Sequence, residues 1–333
     1  MDFSIPPHVK DLLDRMDAFI EAEIKPLQAE GDNERFFDHR REHARTDWDN
    51  DGKPRHDWEE LLREMRRRAD RAGFLRLALP EEYGGKNIGN LAMAIIREHL
   101  AAKGLGLHND LQNESSIVGN FPQILMFRDF GRPGQAEEWI NGALAGTHRA
   151  AFGLTEPDHG SDATWMETRA VTVSGGFKLS GSKMWITNSP IADVLVVWAK
   201  LDGGAIRGFI LERGWKGLET PKIEGKFGLR ASVTGAIMLD EVFVPVENLM
   251  PNVAGLGGPF GCLNNARYGI AWGAMGAAEF CWKQARNYTL DRKQFGKPLA
   301  ANQLIQKKLA DMQTEIALGL QACLRVGRLM DEH

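Results

Sequence analysis

The stretch FGLTEPDHGSD, residues 152–162, decides how the chain divides. Before it, apolar residues recur at helical spacing; after it, they alternate in short runs. The stretch itself is rich in turn-forming residues and reads as a polar loop at the junction of a helical and a β-rich domain. It offers backbone N–H groups, the Thr155 and Ser161 hydroxyls, and two acceptors, Glu156 and Asp162. Its glycines, Gly153 and Gly160, let a ligand approach the backbone closely.

Downstream, Thr168 to Val173 and Phe177 to Leu179 alternate around Gly175-Gly176, which predicts a hairpin. ADVLVVWAKL (192–201), IRGFILERG (206–214) and TGAIMLDEVFVP (234–245) are further short β runs. Their close punctuation by glycine and proline predicts an antiparallel sheet or barrel rather than βαβ units. No GxGxxG follows a strand, so a Rossmann nucleotide site is not supported. Helical spacing returns near Gly258. One long helix is expected over 260–290, with small residues such as Gly269, Gly273 and Gly276 that permit close helix contact. DRKQFGKPLAANQ (291–303) breaks it. A second long helix follows from Leu304 to about Met330, with Ile305, Leu309, Met312, Ile316 and Leu320 on one stripe. Such a pair is half of a four-helix bundle, and its apolar face wants covering.

Upstream, Val9, Leu12, Leu13, Met16, Ile20 and Ile24 predict a helix over 8–25, ended by Pro26. A charged stretch (31–55) reads as a solvated excursion. Its His39 and His43 share a helical spacing but have no third ligand near, so no metal is expected. A helix is expected from Asp57, with Glu60 completing a capping box and Gly73 closing it. PEEYGGKN (80–87) is a turn cluster, and further helical segments are expected over 90–103, 117–127 and 135–145. The expected fold is α+β and multidomain: a helical domain (1–150), a middle β domain (151–258) and a C-terminal helical domain (259–333).

Bulk composition fits a soluble, multidomain protein. The 333 residues are 43% hydrophobic and 26% charged with a net charge of −4, so nucleic acid is not the expected partner. Cys262, Cys281 and Cys323 form no CxxC pair, which argues against zinc and disulfides and for a reducing, cytosolic or matrix-like compartment. The N-terminus lacks a signal-peptide apolar core, and no apolar run is long enough to span a bilayer.

Five stretches carry a resemblance to a known family: FGLTEPDHGSD (152–162), GSKMWITNSPIAD (181–193), KFGLRAS (226–232), GGPFGCLNNARYGIAWG (257–273) and DRKQFGKPLAANQLIQKKLAD (291–311). In this order the chain resembles the acyl-CoA dehydrogenases, and the wording around FGCLNNARYGIAWG is similar to the glutaryl-CoA branch. The resemblance implies a FAD-dependent enzyme that dehydrogenates an acyl-CoA thioester and passes electrons to an electron-transfer flavoprotein. It also implies a homo-oligomer, commonly a tetramer, serving fatty acid or amino acid catabolism. The same scaffold also serves acyl-CoA oxidases, flavin monooxygenases and inactive binding subunits.

The implied cofactor residues begin in the opening loop. Phe152, Leu154 and Thr155 would meet the flavin's pyrimidine edge, with Gly160 and Ser161 toward the pyrophosphate. Trp185, Ile186 and Thr187 would form its wall and reach N5. Arg292, Phe295 and Gln303 would hold FAD of a neighbouring subunit, Arg292 through a charge-assisted fork on the pyrophosphate. Ser161, Phe260, Leu263, Asn264 and Arg267 would line the acyl-CoA channel. On residue type alone, a strand tryptophan is more often core and a loop arginine more often solvated; the surrounding motifs reverse that for Trp185 and Arg292.

Two departures from the family are visible. The proton acceptor in most members is a glutamate in a C-terminal YEGT-type segment that this sequence does not contain, and the alternative position is Ala266. No catalytic residue is therefore assigned; the chain is expected to be a truncated member, impaired in dehydrogenation. Second, the Arg-Ser pair that grips a distal carboxylate in glutaryl enzymes aligns with His108-Asn109, placed by the pair Ser115-Ser116. A neutral histidine pairs poorly with a carboxylate, and Glu114 would oppose an anionic tail. A preference for glutaryl-CoA is thus not expected to follow from the C-terminal match.

Overall fold

In this computed structural model residues 4–38, 40–50, 52–110, 115–119 and 121–332 are described. They form two compact units. One contains Met1–Phe37, Glu64–Asn120 and Ala266–His333; the other contains Asp38–Arg63 and Phe121–Asn265.

The helices in chain order are α1 (Pro7–Phe19), α2 (Lys25–Ala29), α3 (His56–Arg71), α4 (Asn90–Ala101), α5 (Pro122–Phe130), α6 (Gln135–Ala145), α7 (Gly257–Asp291) and α8 (Gln303–Glu332). The strands are β1 (Thr46–Asp47), β2 (Lys53–Pro54), β3 (Asn109–Asp110), β4 (Ser115–Ser116), β5 (Ala150–Gly153), β6 (Arg169–Val173), β7 (Gly176–Thr187), β8 (Val194–Leu201), β9 (Ile206–Glu212), β10 (Leu218–Glu219), β11 (Thr234–Pro245), β12 (Lys293–Gln294) and β13 (Lys297–Pro298). No helix among the described residues is long and apolar enough to cross a membrane.

In the first unit α1 buries Val9, Leu12, Leu13 and Met16, the stripe read from the sequence. Pro26 does not end the helical run. A π turn over Ile20–Ile24 intervenes, and Pro26 stands in the first turn of α2. The wider turn moves the carbonyls that the proline ring would otherwise meet. The start of α3 also differs. It begins at His56, and Asp57 Oδ1 accepts the Trp58 N–H at 3.1 Å. Gly73 closes α3 with φ +77°, and the Phe74 N–H reaches back to Ala69 O at 2.9 Å.

The small residues of α7 divide: a Cβ on Gly273 would meet nothing within 4 Å, whereas Gly276 sits at a close contact. A Cβ on Gly276 would lie 2.2 Å from Glu98 O, so only glycine lets α7 lie this close to α4. Asp331 near the end of α8 accepts the N–H groups of Asn90 at 2.8 Å and Leu91 at 3.1 Å, capping the start of α4.

In the second unit the sheet runs β10-β11-β7-β6-β8-β5, with β9 beside β8. Most pairings are antiparallel, as expected, but β5 and β6 each meet β8 in parallel. The Gly175-Gly176 hairpin is present, with Val173 opposite Gly176. Ala170, Leu179, Leu195, Val197, Phe209, Ile237 and Val242 are fully buried on one face. Trp198 on β8 is fully buried as well. Its ring meets the sites where a Cβ on Gly208 or Gly258 would stand, at 3.1 and 2.4 Å, and lies 6.3 Å from the Phe152 ring. The charged stretch is more ordered than a solvated excursion: β1 and β2 close a hairpin, and Arg45 lies 4.5 Å over the Trp58 ring. His43 is in a short 3₁₀ turn, and His39 lies outside the described residues.

Candidate functional site

The opening loop is fastened to β7 by a buried ion pair. Lys183 is fully buried and its Nζ donates to Glu156 Oε1 at 2.8 Å and to Leu154 O at 3.2 Å. Glu156 is also buried and accepts the N–H groups of Glu167 at 2.6 Å and Thr168 at 3.0 Å. One residue further along β7, the Met184 N–H donates to Thr155 O at 2.8 Å. The Glu156 N–H bonds His159 O at 3.2 Å and tightens the turn. Burial alone would raise the Glu156 carboxyl, but the Glu167 N–H, Lys183 and Thr168 hold it below its ordinary value. Burial pushes the Lys183 ammonium below the ordinary lysine range, against the pull of Glu156.

Beyond Lys183 the strand bulges. Lys183 pairs with Ile237 and Ile186 with Gly235, so Met184 and Trp185 together oppose the single residue Ala236. The extra residue reverses the alternation. Phe177, Leu179 and Lys183 point inward at odd positions; after the bulge it is Ile186 that enters the core, and Trp185 is 59% exposed. Trp185 has φ +61°, a left-handed backbone that a bulky residue rarely adopts. Thr187, at the end of β7, is exposed on the same side of the bulge as Trp185.

The other expected cofactor residues divide by what they present. Phe152 is half-buried on β5, and Leu154 and Ile186 are buried, so the latter two can serve a ligand only through their backbone. Gly160 and Ser161 are exposed, and a Cβ on Gly160 would meet nothing within 4 Å. Arg292 and Gln303 are exposed at the ends of α7 and α8. Phe295 is fully exposed at the tip of the β12–β13 hairpin, with φ +51° beside Gly296 at +74°, the backbone of a type I′ turn. Trp185 and Phe295 are thus both exposed aromatics held in a strained backbone.

On α7, Phe260, Leu263, Asn264 and Arg267 follow the i, i+3, i+4, i+7 spacing of one helix face. Phe260 and Leu263 are half-buried, and Asn264 and Arg267 are exposed. Ala266 is half-buried and carries no titratable group. Burial pushes the Cys262 thiol up to about 11, which keeps it protonated and unreactive. In the first unit His108 is buried, and that burial pushes it down to about 4, so it is neutral at pH 7. Asn109 pairs with Ser116 across β3 and β4. Arg66 Nη2 donates to Ser115 Oγ at 3.2 Å, a cation that sequence spacing did not bring to this loop. Glu114 lies outside the described residues.

Lys183 is the other residue that sequence reasoning missed. The signal was available: in GFKLSGSKMWIT it shares the inward parity of Phe177 and Leu179. A lysine at a core position needs a buried carboxylate, and Glu156 in the opening motif is the partner.

The acyl-CoA dehydrogenase N-terminal, middle and C-terminal domains match residues 34–147, 151–242 and 254–333. The chain belongs to the acyl-CoA dehydrogenase family, with that family's helical, β and helical arrangement. Within it, the chain is 31% identical to the glutaryl-CoA dehydrogenase of Desulfococcus multivorans over 340 residues, covering all of this chain and 80% of the relative. A probable acyl-CoA dehydrogenase of Bacillus subtilis is 35% identical over 269 residues, which cover 78% of this chain and 43% of that relative's length. A solved glutaryl-CoA dehydrogenase of Mycobacterium smegmatis, in complex with FADH2, is 33% identical with a TM-score of 0.77, over 98% of this chain and 77% of that one.

Proposed function

We propose that the chain binds FAD and an acyl-CoA thioester and serves in α,β-dehydrogenation of the acyl group, with an electron-transfer flavoprotein as acceptor. One observation carries this reading: the pinned Thr155 backbone and the outward-turned Trp185 lie on adjoining segments, tied by the Met184 N–H to Thr155 O bond. The residues present fit a flavin. Thr155 is half-buried, and its N–H donates to no group among the described residues. Trp185 supplies an exposed indole face, and the open surroundings of Gly160 leave room beside Ser161.

FAD, when bound, would supply the acceptor for a hydride from the β-carbon of the acyl group. The chain's own part is to hold and orient. Thr155 and Leu154 would present backbone to the pyrimidine edge, Trp185 would cover the ring and Thr187 would offer a hydroxyl near N5. Ser161 reaches the pyrophosphate and the CoA side. Phe260, Leu263, Asn264 and Arg267 line the acyl-CoA channel along α7. Arg292, Phe295 and Gln303 reach FAD of a second copy, which makes an oligomer part of the reading. Ala266 cannot accept a proton, so that position is not the base. This same observation favours a second reading, an inactive flavin and acyl-CoA binding subunit.

The purified protein, incubated with FAD and freed of excess, is expected to show bound-flavin absorbance. Trp185→Ala is expected to weaken FAD binding by about tenfold, the loss of one stacked aromatic contact worth about 1–1.5 kcal/mol. Absence of bound flavin in the wild type overturns the proposal. Acyl-CoA-dependent bleaching of the flavin separates the dehydrogenase from the inactive subunit, for which bleaching is absent. Because His108 is neutral, glutaryl-CoA and butyryl-CoA are expected to bind within about tenfold of each other; strong selection of glutaryl-CoA rejects that expectation.

A further inference from the structure

We propose that Lys183 is a positioning residue that favours the reduced flavin by polarising the Leu154–Thr155 peptide. The inference rests on the FAD reading above. Leu154 O accepts from Lys183 Nζ at 3.2 Å, and Thr155 O accepts from the Met184 N–H at 2.8 Å. Both carbonyls on either side of the Thr155 nitrogen are therefore anchored from β7, and this peptide unit cannot rotate freely. No peptide bond among the described residues is cis. In a trans peptide the N–H lies opposite the C=O, so the Thr155 N–H points away from the ammonium. That N–H donates to no group among the described residues.

A cation on the carbonyl oxygen draws electron density through the amide and makes its N–H a stronger donor. Reduction of a flavin places negative charge on the N1–C2–O2 edge of its pyrimidine ring. A donor strengthened in this way gains more from the reduced form than from the oxidised one. The long-range field of Lys183 is not the cause, because Glu156 at 2.8 Å neutralises it. The effect passes through one peptide bond. Lys183 itself is fully buried under the loop and offers no surface to a ligand.

The test compares wild type with Lys183→Gln and with the apolar pair Lys183→Met/Glu156→Leu, each loaded with FAD. The midpoint potential of the bound flavin is measured against a reference dye, alongside affinity for oxidised FAD. Wild type is expected to prefer reduced over oxidised FAD about tenfold more than either variant does. That ratio is a potential lower by about 30 mV in the variants, for a two-electron couple. A merely structural role for Lys183 predicts equal loss of affinity for both redox forms and an unchanged potential, and that result overturns the proposal. If the apolar pair does not fold, the neutral pair Lys183→Gln/Glu156→Gln decides, because it keeps an amide donor and leaves no unpaired carboxylate whose field could shift the potential; an unchanged potential there overturns the proposal. If wild type itself holds no FAD, the functional reading fails and this one with it; bound FAD with an unshifted potential sinks only this one.

Discussion

Truncating Trp198 to alanine is expected to destabilise the second unit by about 3–5 kcal/mol, in the range of large aromatic deletions from a core. The indole is fully buried on β8. It fills the space beside Gly208 on β9 and under Gly258 at the start of α7, and it flanks the Phe152 ring on β5. Neither glycine carries a side chain that could swing in to fill the hole. The measurement is urea denaturation of wild type and Trp198→Ala followed by circular dichroism. A loss below about 1 kcal/mol shows that the site collapses around the missing ring. The variant should also loosen the two segments that Trp198 props, the entry to FGLTEPDHGSD and the first turn of α7, so weaker flavin binding is expected to accompany the lost stability.

Glu156→Ala is expected to cost about 3–5 kcal/mol, because it strands a buried ammonium and two backbone donors at once. The carboxylate answers Lys183 and the Glu167 and Thr168 N–H groups together. The pH dependence follows from the direction of its shift. The folded carboxyl sits below its ordinary value of 4.5, so its contribution is complete above that value and is lost as pH falls through the lowered folded value. Wild type should therefore lose stability on acidification below about pH 4.5 more steeply than Glu156→Gln does. Denaturation midpoints of the two proteins across that window check it; parallel slopes would falsify the assignment. The apolar pair Lys183→Met/Glu156→Leu should recover only the part of the loss that comes from the stranded ammonium, since the Glu167 and Thr168 N–H groups still have no acceptor.

Much of this architecture could be read from residue order alone, and particular residues show where the reading stopped. The hairpin at Gly175 and the long α7 and α8 follow from period and punctuation. Pro26 misled because a proline ends a helix only when the preceding carbonyl stays in place, and the π turn at Ile20–Ile24 moves it. The β1–β2 hairpin stayed hidden in a charge-dense stretch, where two-residue strands leave no periodic signal. Trp185 was named for the cofactor by its motif, yet strict alternation puts it in the core. Only the two-against-one register opposite Ala236 turns it out. Arg66 beside Ser115 joins residues 49 apart in sequence, which no local pattern encodes.

The cap that Asp331 places on α4 has a consequence for synthesis of the chain. Its acceptor oxygen and the Leu91 N–H it serves are separated by 240 residues. A ribosome adding about 5–20 residues per second leaves α4 without that partner for roughly 10–50 s. During that interval Gly276 and the rest of α7 are also still to come, so the face of α4 that receives them is bare. Closure of the first unit is thus a late, long-range event, and a nascent chain held just short of Asp331 is the stage at which a chaperone has most to protect.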